Sequence, residues 1–200
     1  MSEDVTDLSF ALGGDTIVDD YALLLWQGLL ARLPWLAEEA SCGVLPLAGL
    51  SRGDGLRFVS RRARLVLRLP RRRLAEADFL VGAEFDLGGR VQVGASTERP
   101  LGPAKVVHSH CVDMDSADEV EFLARSREAL ESRGLRAELV CGRRRSLRGE
   151  SGPRSGFSMM LYGLSGEQTV DLQRQGLGLN HGLGCGIFVP HKNVAAVSGD

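Results

Sequence analysis

Lysine is almost missing from this 200-residue sequence: of its 24 basic residues only Lys105 and Lys192 are lysine, and the rest are arginine. Also missing is any apolar run of the roughly 18 residues that a membrane-spanning helix needs, so no transmembrane segment is expected. The N-terminus carries no cationic, then apolar, then small-residue pattern, so no signal peptide is expected and the cytoplasm is the expected compartment. Cys42, Cys111, Cys141 and Cys185 stand far apart with no C-x-x-C spacing, which argues against both a zinc site and a disulfide frame. His108, His110, His181 and His191 show no H-E-x-x-H or comparable ligand spacing, so no metal and no cofactor is expected. A formal net charge of −2 provides no global basic field for a nucleic acid.

What is present reads as a globular chain, 44% hydrophobic and 25% charged, long enough to bury a sizeable core. Leu8-Ser-Phe10-Ala-Leu12 alternates and stops at Gly13-Gly14, as a strand does. Between Asp19 and Leu36, apolar residues at 22, 25, 26, 29, 30 and 33 mark one face of a helix that Asp19 or Asp20 can cap and Pro34 ends. The segment from Cys42 to Leu47 is a short apolar run. Arg64 to Leu69 alternates up to Pro70, Arg71 to Phe79 reads as a short helix, and Glu84 to Val93 as a strand or hairpin broken at Gly88-Gly89.

The same order then recurs. Lys105 to Val112 reads as a strand. Ser116-Ala-Asp-Glu119 reads as a capping box opening a helix that stops at Gly134. Leu135 to Cys141 is a strand, Arg143 to Ser155 a basic loop, and Gly156 to Leu164 a strand. Ser165-Gly-Glu-Gln168 opens a last helix, and Ile187-Phe-Val189 closes the pattern. The expectation is an α+β protein of two tandem β-α-β-β-α-β, or ferredoxin-like, domains. They span residues 1–98 and 104–200, joined by a linker at 99–103, with a glycine-rich loop at 176–186.

Arginine is clustered. Arg57, Arg61, Arg62, Arg64, Arg68, Arg71, Arg72 and Arg73 fall in one stretch without an acid among them, and Arg143, Arg144, Arg145 and Arg148 form a second group. On the strand from Arg64, the arginines lie opposite Leu65, Leu67 and Leu69, which predicts one apolar and one cationic sheet face. Arginine suits forked phosphate contacts and stacking on bases. The acids collect elsewhere, from Glu3 to Asp20 and from Asp113 to Glu131. The glycines at 176, 178, 182, 184 and 186 either shape a tight turn or let backbone amides approach a phosphate. They form neither a P-loop nor a dinucleotide fingerprint.

The run Gly176-Leu-Gly-Leu-Asn-His-Gly-Leu-Gly-Cys-Gly-Ile-Phe-Val-Pro-His191 closely resembles the C-terminal glycine-rich loop of the CRISPR-associated repeat-RNA endoribonucleases, within the repeat-associated mysterious protein superfamily. Phe10-Ala-Leu-Gly-Gly-Asp-Thr, Leu33-Pro34, Ser60-Arg-Arg-Ala-Arg-Leu-Val-Leu-Arg-Leu-Pro70, Arg99-Pro100 and Tyr162-Gly-Leu-Ser-Gly-Glu-Gln look like the short branch of that family, in the same order. The resemblance implies two ferredoxin-like (RRM-like) domains that hold a repeat stem-loop of precursor crRNA. It implies cleavage without metal, by attack of the ribose 2′-hydroxyl, leaving a 2′,3′-cyclic phosphate. It further implies that the protein keeps its product as a subunit of a Cascade-like effector complex, alongside other subunits and touching target DNA only through that complex.

One position departs from the family pattern. Where relatives carry a histidine at the start of helix 1, as in Asp-His-Gly-Tyr, this chain reads Val18-Asp-Asp-Tyr-Ala22. Tyr21 matches the family's tyrosine, but the histidine is absent. The candidates for the chemistry are therefore His181 in the glycine loop, Tyr21, and the pair His108 and His110, while Arg174 and Lys192 remain alternatives and His191 reads as a phosphate neighbour. The expected RNA contacts are Arg61, Arg62, Arg64, Arg68, Arg71, Arg72, Arg143, Arg144, Arg145, Arg148, Arg174, Gly178, Gly182, Gly184 and Lys192. Two readings from different classes stand: an endoribonuclease, or a non-catalytic crRNA-binding scaffold subunit. An unrelated two-domain RNA binder is the third.

Overall fold

The computed structural model describes residues 4–51 and 53–191; Lys192 lies outside them. The first half runs β1 (Val5–Gly14), β2 (Thr16–Val18), α1 (Ala22–Arg32), β3 (Gly43–Val44), β4 (Leu50–Ser51), β5 (Leu56–Phe58), β6 (Arg64–Pro70), α2 (Leu74–Ala77), β7 (Glu84–Asp86) and β8 (Arg90–Pro100). The second runs β9 (Val106–Val112), α3 (Glu119–Glu131), β10 (Glu138–Gly149), β11 (Gly152–Tyr162), α4 (Gly166–Gln175) and β12 (Val189–Pro190).

Alternation places Leu8, Phe10 and Leu12 of β1 beside Leu65, Leu67 and Leu69 of β6 in one core, where α1 adds Leu25 and Leu29. The five-stranded antiparallel sheet has the order β3-β6-β1-β8-β7. A second core gathers Val107, Phe122, Phe157, Leu161, Leu172 and Phe188 beneath a sheet of order β10-β11-β9-β12. In both sheets the first strand of the unit lies centrally, β1 between β6 and β8 and β9 between β11 and β12, which is the ferredoxin-like arrangement, with β7 added at the edge of the first. The fold is α+β with antiparallel sheets.

Several local expectations change. Arg99 and Pro100 pair with Asp7 and Thr6, so they end β8, and the connection expected at 99–103 starts only after Pro100. Helix α1 begins at Ala22 with Tyr21 at its N-cap and no side-chain cap, because Asp19 and Asp20 are engaged elsewhere. Asp118, rather than Ser116, caps α3 by accepting from the Glu121 N–H at 2.9 Å. The capping box at Ser165 and Gln168 is present, with both reciprocal bonds.

The stretch from Arg143 to Ser155 is not a loop but the arms of the β10–β11 hairpin. Its register shifts between Cys141 and Arg144, a β-bulge that sets Gly142 and Arg143 opposite a single residue. Consecutive arginines thereby stay exposed on a strand whose alternation would otherwise turn one inward. A small sheet of order β2-β5-β4, unforeseen from the sequence, packs at the edge of the first unit and carries Arg57.

Candidate active site

Between the two units lies a cleft of about 1100 Å³. One wall is the start of α1 with the chain from Leu45 to Gly49 and Arg57 of β5; the other is His108 and His110 of β9 with Arg145 and Arg148 of β10. The end of the glycine-rich loop, at Gly184 and Cys185, forms part of its lining.

Tyr21 is buried at the cleft lining, and its hydroxyl oxygen has a fixed partner. That oxygen accepts the Leu47 backbone N–H at 2.6 Å, which fixes the ring and leaves the phenolic proton free to donate. Burial raises its pKa, so the phenol stays protonated at neutral pH. The Arg57 guanidinium sits 5.5 Å from the Tyr21 ring centroid, donates to the Leu47 carbonyl at 3.1 Å and pairs with Asp19 at 3.3 Å. Asp20 crosses to the second unit, its Oδ1 accepting the Arg148 backbone N–H at 3.2 Å. The two aspartates standing where the resemblance leads one to look for a histidine thus hold the cleft walls.

His108 and His110 occupy alternate positions on β9 and both face the cleft. The His108 ring lies 5.6 Å from that of His191. Burial lowers the pKa of His108, with His191 and Arg145 adding to the shift. Burial also lowers that of His110, reinforced by Arg145, His108 and Arg57.

His181 is placed differently from its expectation. Its ring is wedged between Gly176 and Gly186, where a Cβ on either would lie within 3 Å of it. Its Nε2 is buried without a hydrogen-bond partner, and the ring faces neither the cleft nor the smaller cavity beside it. Burial lowers its pKa, opposed by a backbone hydrogen bond at Leu177. The ring is half-buried and lines neither cavity, so the structure does not bring His181, expected to be catalytic, together with the cleft residues; it packs between the two glycines.

The glycine loop is likewise bonded to itself and to the end of β9 and the residue after it. Gly184 N–H donates to the His181 carbonyl at 3.1 Å, and Gly186 N–H to that of Cys111 at 2.7 Å, so neither amide is open to a phosphate. Asn180, in the left-handed region, donates to the fully buried carboxylate of Asp113 at 2.7 Å. A Cβ on Gly182 would stand 2.5 Å from the Trp26 ring of α1, which explains glycine there by close approach. Of the glycines expected to touch RNA, Gly184 lines the cleft and Gly182 the smaller cavity of about 290 Å³, while Gly178 backs onto the Asp113 carbonyl.

The arginines separate into two populations. Arg68 is 1% exposed, so the expected cationic face of β6 is covered by the second unit at that position, and RNA contact by Arg68 is corrected to an interdomain role. Arg71 pairs with Asp4 and Glu98, and Arg72 with Glu39. Arg174 pairs with Asp171. By contrast, among the described residues no carboxylate lies within ion-pair distance of Arg143, Arg144, Arg145 or Arg148, and Arg61, Arg62 and Arg64 are exposed. Sequence reasoning placed Arg57 in the basic run without marking it for the site; its three-residue strand is too short to show a period.

Among the described residues no group of three or more His, Cys, Asp or Glu could hold a metal ion, and no helix is long and apolar enough to cross a membrane. Residues 6–193 match the family described as Cas6 Crispr. The chain is 35% identical over 193 residues to the CRISPR-associated endonuclease Cas6 of Myxococcus xanthus (strain DK1622), covering 96% of this chain and 84% of that protein. Among solved structures, the product of a Cas6-related gene from Pyrococcus furiosus superimposes with a TM-score of 0.67 at 16% identity, over 92% of this chain and 98% of that one. A RAMP protein binding different RNA substrates gives 0.65 at 16% identity over the same shares. The CRISPR endoribonuclease Cse3 bound to 19 nt RNA gives 0.52 at 15% identity, again over 92% and 98%.

Proposed function

The chain belongs to the Cas6 family, and from that membership we propose that it binds the repeat stem-loop of precursor crRNA and cleaves it in the interdomain cleft. The reaction is metal-independent: the ribose 2′-hydroxyl attacks the adjacent phosphorus and the bond to the 5′-oxygen breaks, leaving a 2′,3′-cyclic phosphate and a 5′-hydroxyl. Such a step needs a proton acceptor, a proton donor and positive charge around the phosphorane. The observation that carries the reading is that one cleft combines imidazoles, a hydrogen-bonding phenol and arginines free of carboxylate partners. The name of the Myxococcus relative, an endonuclease, supports it.

The uncompensated arginines of β10, with Arg61, Arg62 and Arg64, are the phosphate contacts of this reading; the protein then keeps the 3′ handle in the cytoplasm as a subunit of a Cascade-like effector complex, meeting target DNA through that complex alone. The test is incubation of purified protein with a repeat stem-loop in EDTA, against the same RNA with a 2′-deoxy residue at the cleavage position. Cleavage of the first and not the second, with a cyclic-phosphate end on the product, is expected. Tight binding of an intact stem-loop would instead support a scaffold subunit, the reading favoured by aspartates at positions 19 and 20.

A further inference from the structure

We propose that His108 and His110 of β9 are the proton-transfer pair of this cleft, His110 taking the proton of the 2′-hydroxyl and His108 giving one to the leaving 5′-oxygen. The inference rests on the cleavage reading above and adds the residues that carry it. It moves the chemistry from the first unit, where helix 1 offers only Asp19 and Asp20, to the facing wall supplied by the second.

Geometry comes first. Side chains two apart on a strand point to one face and stand about 6.6 Å apart at the backbone. Two imidazoles at that spacing can each reach a different oxygen of one phosphodiester by a hydrogen bond of about 3 Å. His110 is exposed and His108 half-buried, and both line the cavity that Tyr21 and Arg57 also line. Among the described residues the other candidates are placed elsewhere: His181 lines neither cavity, Arg174 is paired with Asp171, and Asp19 and Asp20 bond to Arg57 and to the Arg148 backbone.

The division of labour follows from position: His110 is exposed where a 2′-hydroxyl can enter, whereas His108 is half-buried with its ring 5.6 Å from that of His191. Facing the pair are Asp19, Asp20 and Tyr21 at the start of α1, Arg57 on β5, Arg145 and Arg148 on β10, and His191 beyond β12. Besides burial, His110 feels Arg145, His108 and Arg57, whereas His108 feels His191 and Arg145. Burial and these cations hold both rings toward the neutral form, so the exposed His110 can accept a proton. An RNA phosphate entering between the rings favours the cationic form of its neighbour and supplies the protonated partner. In the step, the 2′-oxygen bonds to phosphorus as its proton passes to His110, and the phosphorus–5′-oxygen bond breaks as that oxygen takes the proton of His108. Tyr21 donates a hydrogen bond to a non-bridging oxygen and Arg57 and Arg145 offset its charge. Atoms and charge balance with no further reactant.

His110→Ala and His108→Ala are each compared with wild type for single-turnover cleavage of the repeat stem-loop, for its affinity, and for rate against pH. Each variant is expected to lose about 10²- to 10⁴-fold in cleavage rate while its affinity stays within about twofold. A bell-shaped profile should lose its acid limb in the first variant and its basic limb in the second. A substrate with sulfur replacing the 5′-bridging oxygen, whose leaving group needs no proton, should restore His108→Ala but not His110→Ala. Wild-type cleavage with both variants equally active would overturn the pair, and rescue of the opposite variant would overturn the assignment within it. No cleavage by wild type would instead remove the reading of the protein as an enzyme, and this pair with it.

Discussion

Asp7 grips Arg68 through two parallel bonds, Oδ1 to Nε at 2.7 Å and Oδ2 to Nη2 at 3.0 Å, across the central strands β1 and β6. The remaining nitrogen, Nη1, reaches into the second unit and donates to the carbonyls of Gln173 at 2.9 Å and Phe188 at 2.7 Å. One guanidinium therefore ties the first sheet to the end of α4 and to the chain leading into β12.

Asp7→Asn would leave the Arg68 charge buried without its counter-ion, at a cost of about 3–5 kcal/mol in unfolding free energy. A pair of apolar substitutions, Asp7→Leu with Arg68→Met, should recover most of that loss, because both charges are then removed together. Urea titration of the three proteins checks this. Equal stability of Asp7→Asn and wild type would show that the clamp contributes nothing.

Gly182→Ala should destabilise by about 1–3 kcal/mol, since the new methyl meets the Trp26 ring on the first unit. Tryptophan fluorescence should shift with it, because Trp26 is half-buried against that loop. An unshifted spectrum and an unchanged midpoint would show that the loop can move away freely.

Much of this was legible in the sequence, for identifiable reasons. Leu65, Leu67 and Leu69 keep a period of two because one face of β6 fills a core, and Ser165 with Gln168 is a local motif whose partners are three residues apart. What was not legible depends on contacts distant in the chain. Alternation puts Arg68 opposite those leucines but cannot reveal that the second unit covers it. The glycine loop reads as open to ligand until Trp26 and Asp113 are found against it, and Gly176 and Gly186 pack the His181 ring. The hairpin from Arg143 resembles a loop in the sequence because the bulge after Cys141 interrupts its period. The histidines of β9 were visible at their spacing of two, whereas their approach to Tyr21 is made by the meeting of the two units.

The two arginine populations should separate in salt dependence. Arg144→Ala, which removes a cation without a carboxylate partner, should weaken stem-loop binding and reduce the slope of log affinity against log salt by about one unit. Arg71→Ala removes a charge already matched by Asp4 and Glu98, and should change that slope far less. Filter-binding titrations at several salt concentrations make the comparison. Equal slopes for both variants would show that the ion pairs seen here do not withhold Arg71 from RNA.

Stability should fall as the pH falls, with His181 supplying part of the slope. Burial holds its folded-state pKa below the ordinary value of 6.5. A group depressed in the folded state binds its proton more readily when the chain is unfolded. The stability it contributes is therefore complete above about pH 6.5 and is lost as the pH drops toward the folded-state pKa. His108 and His110 shift in the same direction and add to the effect. In His181→Gln the unfolding free energy should vary less steeply between pH 7 and pH 5, by up to about 1.4 kcal/mol per pH unit, the limit for one proton. Urea titrations across that range read the slope directly. A variant as pH-sensitive as wild type would mean that the enclosed ring takes up its proton as easily in the folded protein as in water, and that the cavity around Gly176 and Gly186 opens to admit it.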